Sequence, residues 1–377
     1  MKKKHLFTGL LALGILGGCV SEEEPSTSGS GTEGGGNEQE SINLRLNAGL
    51  SGEDANTAAF TTPWMETVEE ETSGQVTFDA FFNQELVPLG EEIRALQDGT
   101  IDLAAPVLPT YNPDQFPLSD VPMLPLKSSD SIIAAKAYAD LIRSDVELAD
   151  GKTFADFEFG EHGMKALPVQ PVSQYTIGAV GGHEFSDAAS LQNLSLRTGG
   201  RAHEIFVQEL GSGSVSMPWS EEFEALSRGA LDGNVRSVVD YKPYGFDELI
   251  TTSITGLAIG HFPLVWLMPE DKWNELPEDV QTIMEDEAYA LAESTVKQEL
   301  FDQALIDAEE AGIELVAVAD LEQGAQDLLE EASTNTWQAW IDAKESEGLP
   351  GLETAKLWRD LVIEHGGEVH DPILELE

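Results

Sequence analysis

The hydrophobic positions change their period along the chain, and those changes outline the elements. Residues 41–47 alternate, with Ile42, Leu44 and Leu46 on one face, which predicts a half-buried strand. Residues 55–71 move to helical spacing, with Phe60, Trp64, Met65 and Val68 on one side. Further strands are expected at 76–82, 101–107, 164–169, 235–239, 250–259 and 263–268, and further helices at 91–97 and 131–148. From Pro277 apolar residues recur at helical spacing as far as Ala308. Unbroken to Ala311, that helix would be about 50 Å long at ~1.5 Å per residue, longer than one lobe. Two later helices carry Trp337, Trp340 and Trp358, which are expected in the core.

The most informative stretch is 191–233, LQNLSLRTGGRAHEIFVQELGSGSVSMPWSEEFEALSRGALDG. It predicts a strand at 194–197, a short helix stopped by Gly211-Ser212-Gly213, and a strand at 215–217. A second helix follows, capped by Ser220 with Glu221 and Glu222 in its first turn, then a strand from about Leu231. This βαβαβ order is the unit of an open parallel sheet, whose ligands sit beyond the carboxyl ends of the strands. Arg197 stands at such an end, followed by Gly199 and Gly200. Its planar fork matches a carboxylate, either of a ligand or of a nearby acidic residue. His203, one turn further on, is expected on the helix surface. The run EEIRALQDGTID at 91–102 echoes EEFEALSRGALD at 221–232, with six of twelve positions identical. The echo suggests two similarly built lobes.

Charge narrows the range of partners. The chain has 20 basic and 69 acidic residues, a net charge of −49. Nucleic acid is excluded as a partner. Carboxylates at this density keep a surface hydrated at high salt, so a halophilic source is expected. The single cysteine, Cys19, allows neither an internal disulfide nor a cysteine-based metal site. Lysines at 2–4, an apolar run at 6–16 and Leu16-Gly17-Gly18-Cys19 form a signal with a lipobox, so 1–19 is read as a lipoprotein signal with Cys19 lipidated. Residues 20–40 are Ser/Gly/Glu-rich and are expected to be a flexible tether.

The runs LQNLSLRTGG, GSGSVSMPWSEEFEALSRGALDG and WNELPEDVQTIMEDEA, in this order and spacing, resemble the substrate-binding proteins of TRAP transporters, the DctP type. The resemblance implies an α/β, two-lobed, periplasmic-binding-protein-like clamshell with a long helix bracing both lobes. It also implies capture of a small organic acid outside the cytoplasm and delivery to a two-part membrane permease. Lobe I would be 41–174 plus 263–301. Lobe II would be 175–262 plus 302–377, including the C-terminal helices. By position, Arg197 is the arginine that pairs with the ligand carboxylate in that family. The family asparagine that follows Asp-Gly falls on Arg236, a departure that either adds a second cation to the site or is bridged by Asp240. Gln170, Tyr175, Tyr111, Trp219, Asn234 and Asp240 complete the candidate ligand contacts.

No HExxH, nucleophile elbow or phosphate-binding loop is present, so an enzyme, a cofactor and a metal site are not expected. A lipid-anchored sensor and the receptor of an ATP-driven transporter remain as alternatives. A secreted hydrolase is disfavoured.

Overall fold

The computed structural model describes residues 41–217 and 219–376. The expectations for Cys19, the signal and the tether fall outside the described residues. In chain order the first lobe begins β1 (Ile42–Asn47), α1 (Thr62–Glu71, entered through a π turn at Thr57–Thr61), β2 (Val76–Phe81), α2 (Glu92–Gln97) and β3 (Leu103–Val107). Then come α3 (Ser131–Arg143), α4 (Phe154–Glu158) and β4 (Met164–Pro168). The second sheet begins with β5 (Thr176–Val180), β6 (Ser195–Thr198), α5 (Arg201–Glu209) and β7 (Gly213–Ser216). It continues with α6 (Trp219–Ser227), β8 (Gly233–Arg236) and β9 (Ile250–Thr255). The remainder is β10 (Val265–Pro269), α7 (Glu270–Glu275), α8 (Glu278–Ala292), α9 (Val296–Glu310), β11 (Glu314–Ala317), α10 (Gln323–Ser346), α11 (Gly351–Glu364) and α12 (Asp371–Leu374).

The strands form two sheets, ordered β2-β1-β3-β10-β4 and β11-β9-β5-β8-β6-β7. The sequence echo is a structural repeat. In each lobe a parallel βαβαβ unit places its first strand between the other two. Leu46 and Asn47 pair with Leu103 and Ala104, as Leu196 and Arg197 pair with Gly233 and Asn234. Asp102 donates its N–H to Arg45 O (2.9 Å) and accepts the Arg45 N–H (2.9 Å). Asp232 makes the same two bonds with Ser195 (2.9 and 2.8 Å). Gly99 and Gly229 end the two helices with φ of +66° and +70°, where any side chain would be strained.

Several expectations change. Residues 277–311 form two helices, α8 and α9, broken at 293–295. The amide of Gln170 enters the break: its Nε2 donates to Leu291 O (3.3 Å) and to Ser294 O, and its Oε1 accepts the Lys297 N–H (3.3 Å). A side chain that satisfies freed backbone groups is one way a helix tolerates a kink. The long brace is α10, which packs on α5 and also reaches the first lobe. There Trp337 Nε1 donates to Pro125 O (2.7 Å) and Trp340 Nε1 to Asp120 Oδ1 (2.9 Å). Both tryptophans are fully buried, as is Trp358. The two strands expected near 231 and at 235–239 are one, β8, followed by a 3₁₀ turn at Val238–Asp240. Ser220 lies inside the first turn of α6 and is not its cap. Helix α3 stops at Arg143, five residues short of the expected end.

Candidate functional site

A cleft of ≈ 1100 Å³ opens between the two repeats, at the carboxyl ends of their strands. Gln84 and Thr110 line it from the first lobe, Gly199 and Ser216 from the second, and Trp340 and Lys344 from α10. A second hollow of ≈ 710 Å³ lies at the amino end of β3, around Asp102. That carboxylate is already held by Arg45 (2.9 Å) and Lys272 (2.8 Å). Among the described residues, no group of three His, Cys, Asp or Glu side chains converges to hold a metal ion.

Arg197 projects from β6 behind the cleft wall and is 2% exposed. Its Nε and Nη2 donate to Met217 O (3.2 and 3.0 Å), and Nε lies 3.3 Å from Glu222 Oε2. These contacts hold the guanidinium from one side. Gly199, which lines the cleft, covers the other: a Cβ there would lie 3.1 Å from Nη1. Among the described residues Nη1 has no acceptor, so this edge can receive an anion arriving through the cleft.

Arg236 is enclosed. Its Nε donates to Glu222 Oε1 and Oε2 (3.2 and 3.1 Å), its Nη2 to Glu222 Oε2 (2.9 Å) and its Nη1 to Asp240. The rings of Tyr244 and Phe246 cover its guanidinium at 5.6 and 5.0 Å. Glu222 comes from α6 and is fully buried. Burial alone would raise its pKa, but Arg236 and Arg197 hold it below the ordinary carboxylate value. Asn234 Nδ2 donates to the same carboxylate (2.7 Å). Burial raises Asp240, and Arg236 offsets part of that rise. Burial also pushes Lys297, beside Asp54 and Asp240, down to about 8.

The sequence candidates therefore divide. Tyr111 and Trp219 line the cleft. Arg197 lies directly behind it. Tyr175 is buried between Phe262 (6.2 Å) and His203 (4.8 Å), and the charges of Asp240, Arg236 and Arg197 act on its hydroxyl. Gln170 is bound into the helix break and does not line the cleft, because the freed helix groups take its amide. Arg236, Asn234 and Asp240 form the ion-pair network behind the wall and do not line the cleft either. The reason is that Glu222 occupies all three: directly for Arg236 and Asn234, and through Arg236 for Asp240. His203 is buried, not a surface residue. Its Nε2 donates to Ile259 O (2.8 Å), and burial pushes its pKa down to about 3.

Two residues were missed from sequence. Glu222 holds both arginines, and its only sequence signal was its place in the repeated Glu-Glu pair. Thr110 lines the cleft, and its buried hydroxyl has no partner among the described residues.

The profile of bacterial extracellular solute-binding protein, family 7 (DctP), matches residues 49–342. The C4-dicarboxylate-binding periplasmic protein DctP of Rhodobacter capsulatus is 24% identical over 236 residues. That match spans 61% of this chain and 65% of that relative's length. A TRAP periplasmic solute-binding protein of Desulfovibrio salexigens superposes with a TM-score of 0.72 at 23% identity, covering 89% of this chain and 99% of that one. A marine-metagenome TRAP solute-binding protein specific for aromatic acid ligands, solved with metahydroxyphenylacetate, gives 0.74 at 21%, covering 86% and 99%. One from Rhodoferax ferrireducens, solved with copurified benzoate, gives 0.73 at 20%, covering 86% and 98%. These likenesses show the two-lobed fold, and with residues 49–342 matched, the chain belongs to bacterial extracellular solute-binding protein family 7.

Proposed function

We propose that this protein is the extracytoplasmic receptor of a TRAP transporter: it captures a small carboxylate between its lobes and delivers it to a membrane permease. The observation that carries this reading is Arg197. It is a nearly buried guanidinium at the carboxyl end of β6, held from one side by Met217 O and Glu222 and covered toward the cleft by a glycine. The ligand carboxylate binds at Nη1, and Tyr111, Thr110 and Trp219 contact the rest of the ligand. Closure of the lobes excludes water and strengthens the charge-assisted bonds. Family membership and the carboxylate ligands of the related structures support the same reading.

The run Leu16-Gly17-Gly18-Cys19 supports attachment to the outer face of the membrane through a lipid on Cys19. The net charge of −49 supports a working environment of high salt. The lobe boundaries are proposed at 174/175 and 262/263, where the two extended crossings pair. There Tyr175 N–H donates to Gly260 O (3.0 Å) and Val172 N–H to Phe262 O (2.9 Å).

A thermal-shift screen of organic acids in concentrated salt tests the function, because a ligand that binds the folded state raises the unfolding temperature by mass action. At least one carboxylate is expected to raise it, and its amide is not. A rise with neutral sugars or cationic ligands alone would overturn the assignment.

A further inference from the structure

The two repeats share their backbone but not their charges. Asn47 in β1 occupies the position that Arg197 occupies in β6, since each pairs one step beyond the aligned Leu. The Asn47 amide is taken by the Val87 backbone, accepting its N–H (3.1 Å) and donating to its carbonyl (3.4 Å). Pro106 stands where Arg236 stands, two residues beyond Ala104 and Asn234 respectively. Glu92 matches Glu222 in the sequence echo, but among the described residues no arginine pairs with it. It is 2% exposed, its Oε2 accepts the Gly90 N–H (2.7 Å), and its Oε1 has no partner among the described residues. The first lobe thus supplies an amide and a proline where the second supplies two guanidinium groups.

The cations nearer the cleft are paired as well. Arg201 lies 3.3 Å from Glu204, and Lys344 lies 3.3 Å from Asp120. Glu91, Asp114 and Glu347 also line the cleft, and among the described residues no cation pairs with them.

We infer that Glu222 and Asp240 are specificity-determining residues: by occupying Arg236 they leave Arg197 as the guanidinium offered to the ligand, and so restrict the receptor to acids with a single carboxylate. This rests on the carboxylate-receptor reading. A second carboxylate entering a closed cleft would lose water and meet a wall whose acids Glu91, Asp114 and Glu347 are unpaired among the described residues and whose cations Arg201 and Lys344 are already paired. Like-charge juxtaposition of this kind selects against the second acid. A body without further negative charge meets no such penalty, and Tyr111, Phe116 and Trp219 on the cleft wall suit a ring or an apolar chain. This separates the chain from the ligand class in the name of its Rhodobacter capsulatus relative.

Titration calorimetry at one salt concentration, with benzoate, phthalate, butyrate and succinate, tests the inference. In the wild type each diacid is expected to bind about 100-fold more weakly than its monoacid counterpart. Glu222→Gln and Asp240→Asn each release part of Arg236 and are expected to shift the monoacid-to-diacid ratio at least about tenfold toward the diacids. A purely structural role would weaken both ligand classes alike and leave the ratio unchanged. If Glu222→Gln fails to fold by circular dichroism, Asp240→Asn and the wild-type ratio decide. A wild type that binds a diacid as well as its monoacid, or folded variants with an unchanged ratio, would overturn the inference. A wild type that binds none of these acids but does bind a neutral or cationic solute would instead overturn the carboxylate reading beneath it.

Discussion

The side-chain carbonyl of Gln170 accepts the Lys297 backbone N–H at 3.3 Å, joining two groups 127 residues apart. The bond closes the break between α8 and α9 where the first sheet hands over to the second. Ser173 Oγ, three residues on, accepts from Ser131 Oγ (3.0 Å) and donates to Lys297 O (3.4 Å). The crossing segment and the helix break are therefore one hydrogen-bonded unit.

Replacing Gln170 with Leu keeps much of the volume and removes the amide. The Lys297 N–H and the Leu291 and Ser294 carbonyls then lose this partner. Buried unsatisfied groups cost about 1–3 kcal/mol each, reduced where water enters. Urea denaturation is expected to show a stability loss of about that size. Unchanged stability would mean that the break does not depend on the side chain.

Arg197→Ala is expected to weaken the carboxylate ligand by about 2–5 kcal/mol, or roughly 30-fold to several thousand-fold in Kd. Arg197→Lys should rescue little, because one ammonium cannot hold Met217 O and a planar carboxylate together. Calorimetry with the best acid from the screen reads both variants. Binding within threefold of wild type in folded Arg197→Ala would place the clamp elsewhere.

Glu158 gives a pH signature. It is buried under α3, accepts the Leu118 N–H (2.7 Å) and the Ser119 hydroxyl, and is pushed up from 4.5 to about 8 by burial. Between those values the folded state binds more protons than the unfolded state. Its contribution to stability is therefore complete below pH 4.5 and lost as pH rises to about 8. The slope is at most about 1.4 kcal/mol per pH unit. Glu158→Gln keeps an acceptor for Leu118 and does not ionise. The difference in stability between variant and wild type should therefore grow in the variant's favour across this range. A constant difference would show that Glu158 does not titrate there.

Low salt should unfold the protein. Like charges across the surface repel, and the Debye length falls from ~30 Å at 0.01 M to ~3 Å at 1 M. Circular dichroism during dialysis is expected to show loss of structure as salt is removed. Equal stability at both extremes would contradict a salt-adapted surface.

Cys19→Ser is expected to release the protein from the membrane fraction of cells that process lipoproteins. Retention equal to wild type would remove the lipid-anchor reading.

Much of this protein could be read from local pattern. Alternation at 41–47, helical spacing at 55–71 and the βαβαβ grammar at 191–233 all depend on residues within one or two turns of each other. So does the position of Arg197 at a strand end beside glycines. Strand β5 (TIGAV) escaped notice because it is buried along most of its length and shows no alternation. The break at 293–295 was hidden for another reason: apolar spacing continues through it, and the group that stabilises it lies on a distant strand.

Arg236 marks the boundary most clearly. Its sequence shows a cation near Asp240 and in reach of a cleft. Its fate depends on Glu222, fourteen residues earlier on α6, which the β6–β8 register brings beneath both arginines. Period and turn chemistry are short-range properties, and the chain carries them in its order of residues. Which carboxylate answers which guanidinium is set by strand register and helix packing, because a buried charge pairs with whatever the fold places within about 3 Å. The sequence alone determined that an arginine would end a strand beside glycines; the tertiary structure decided that Glu222 and Asp240 would enclose the other one, Arg236.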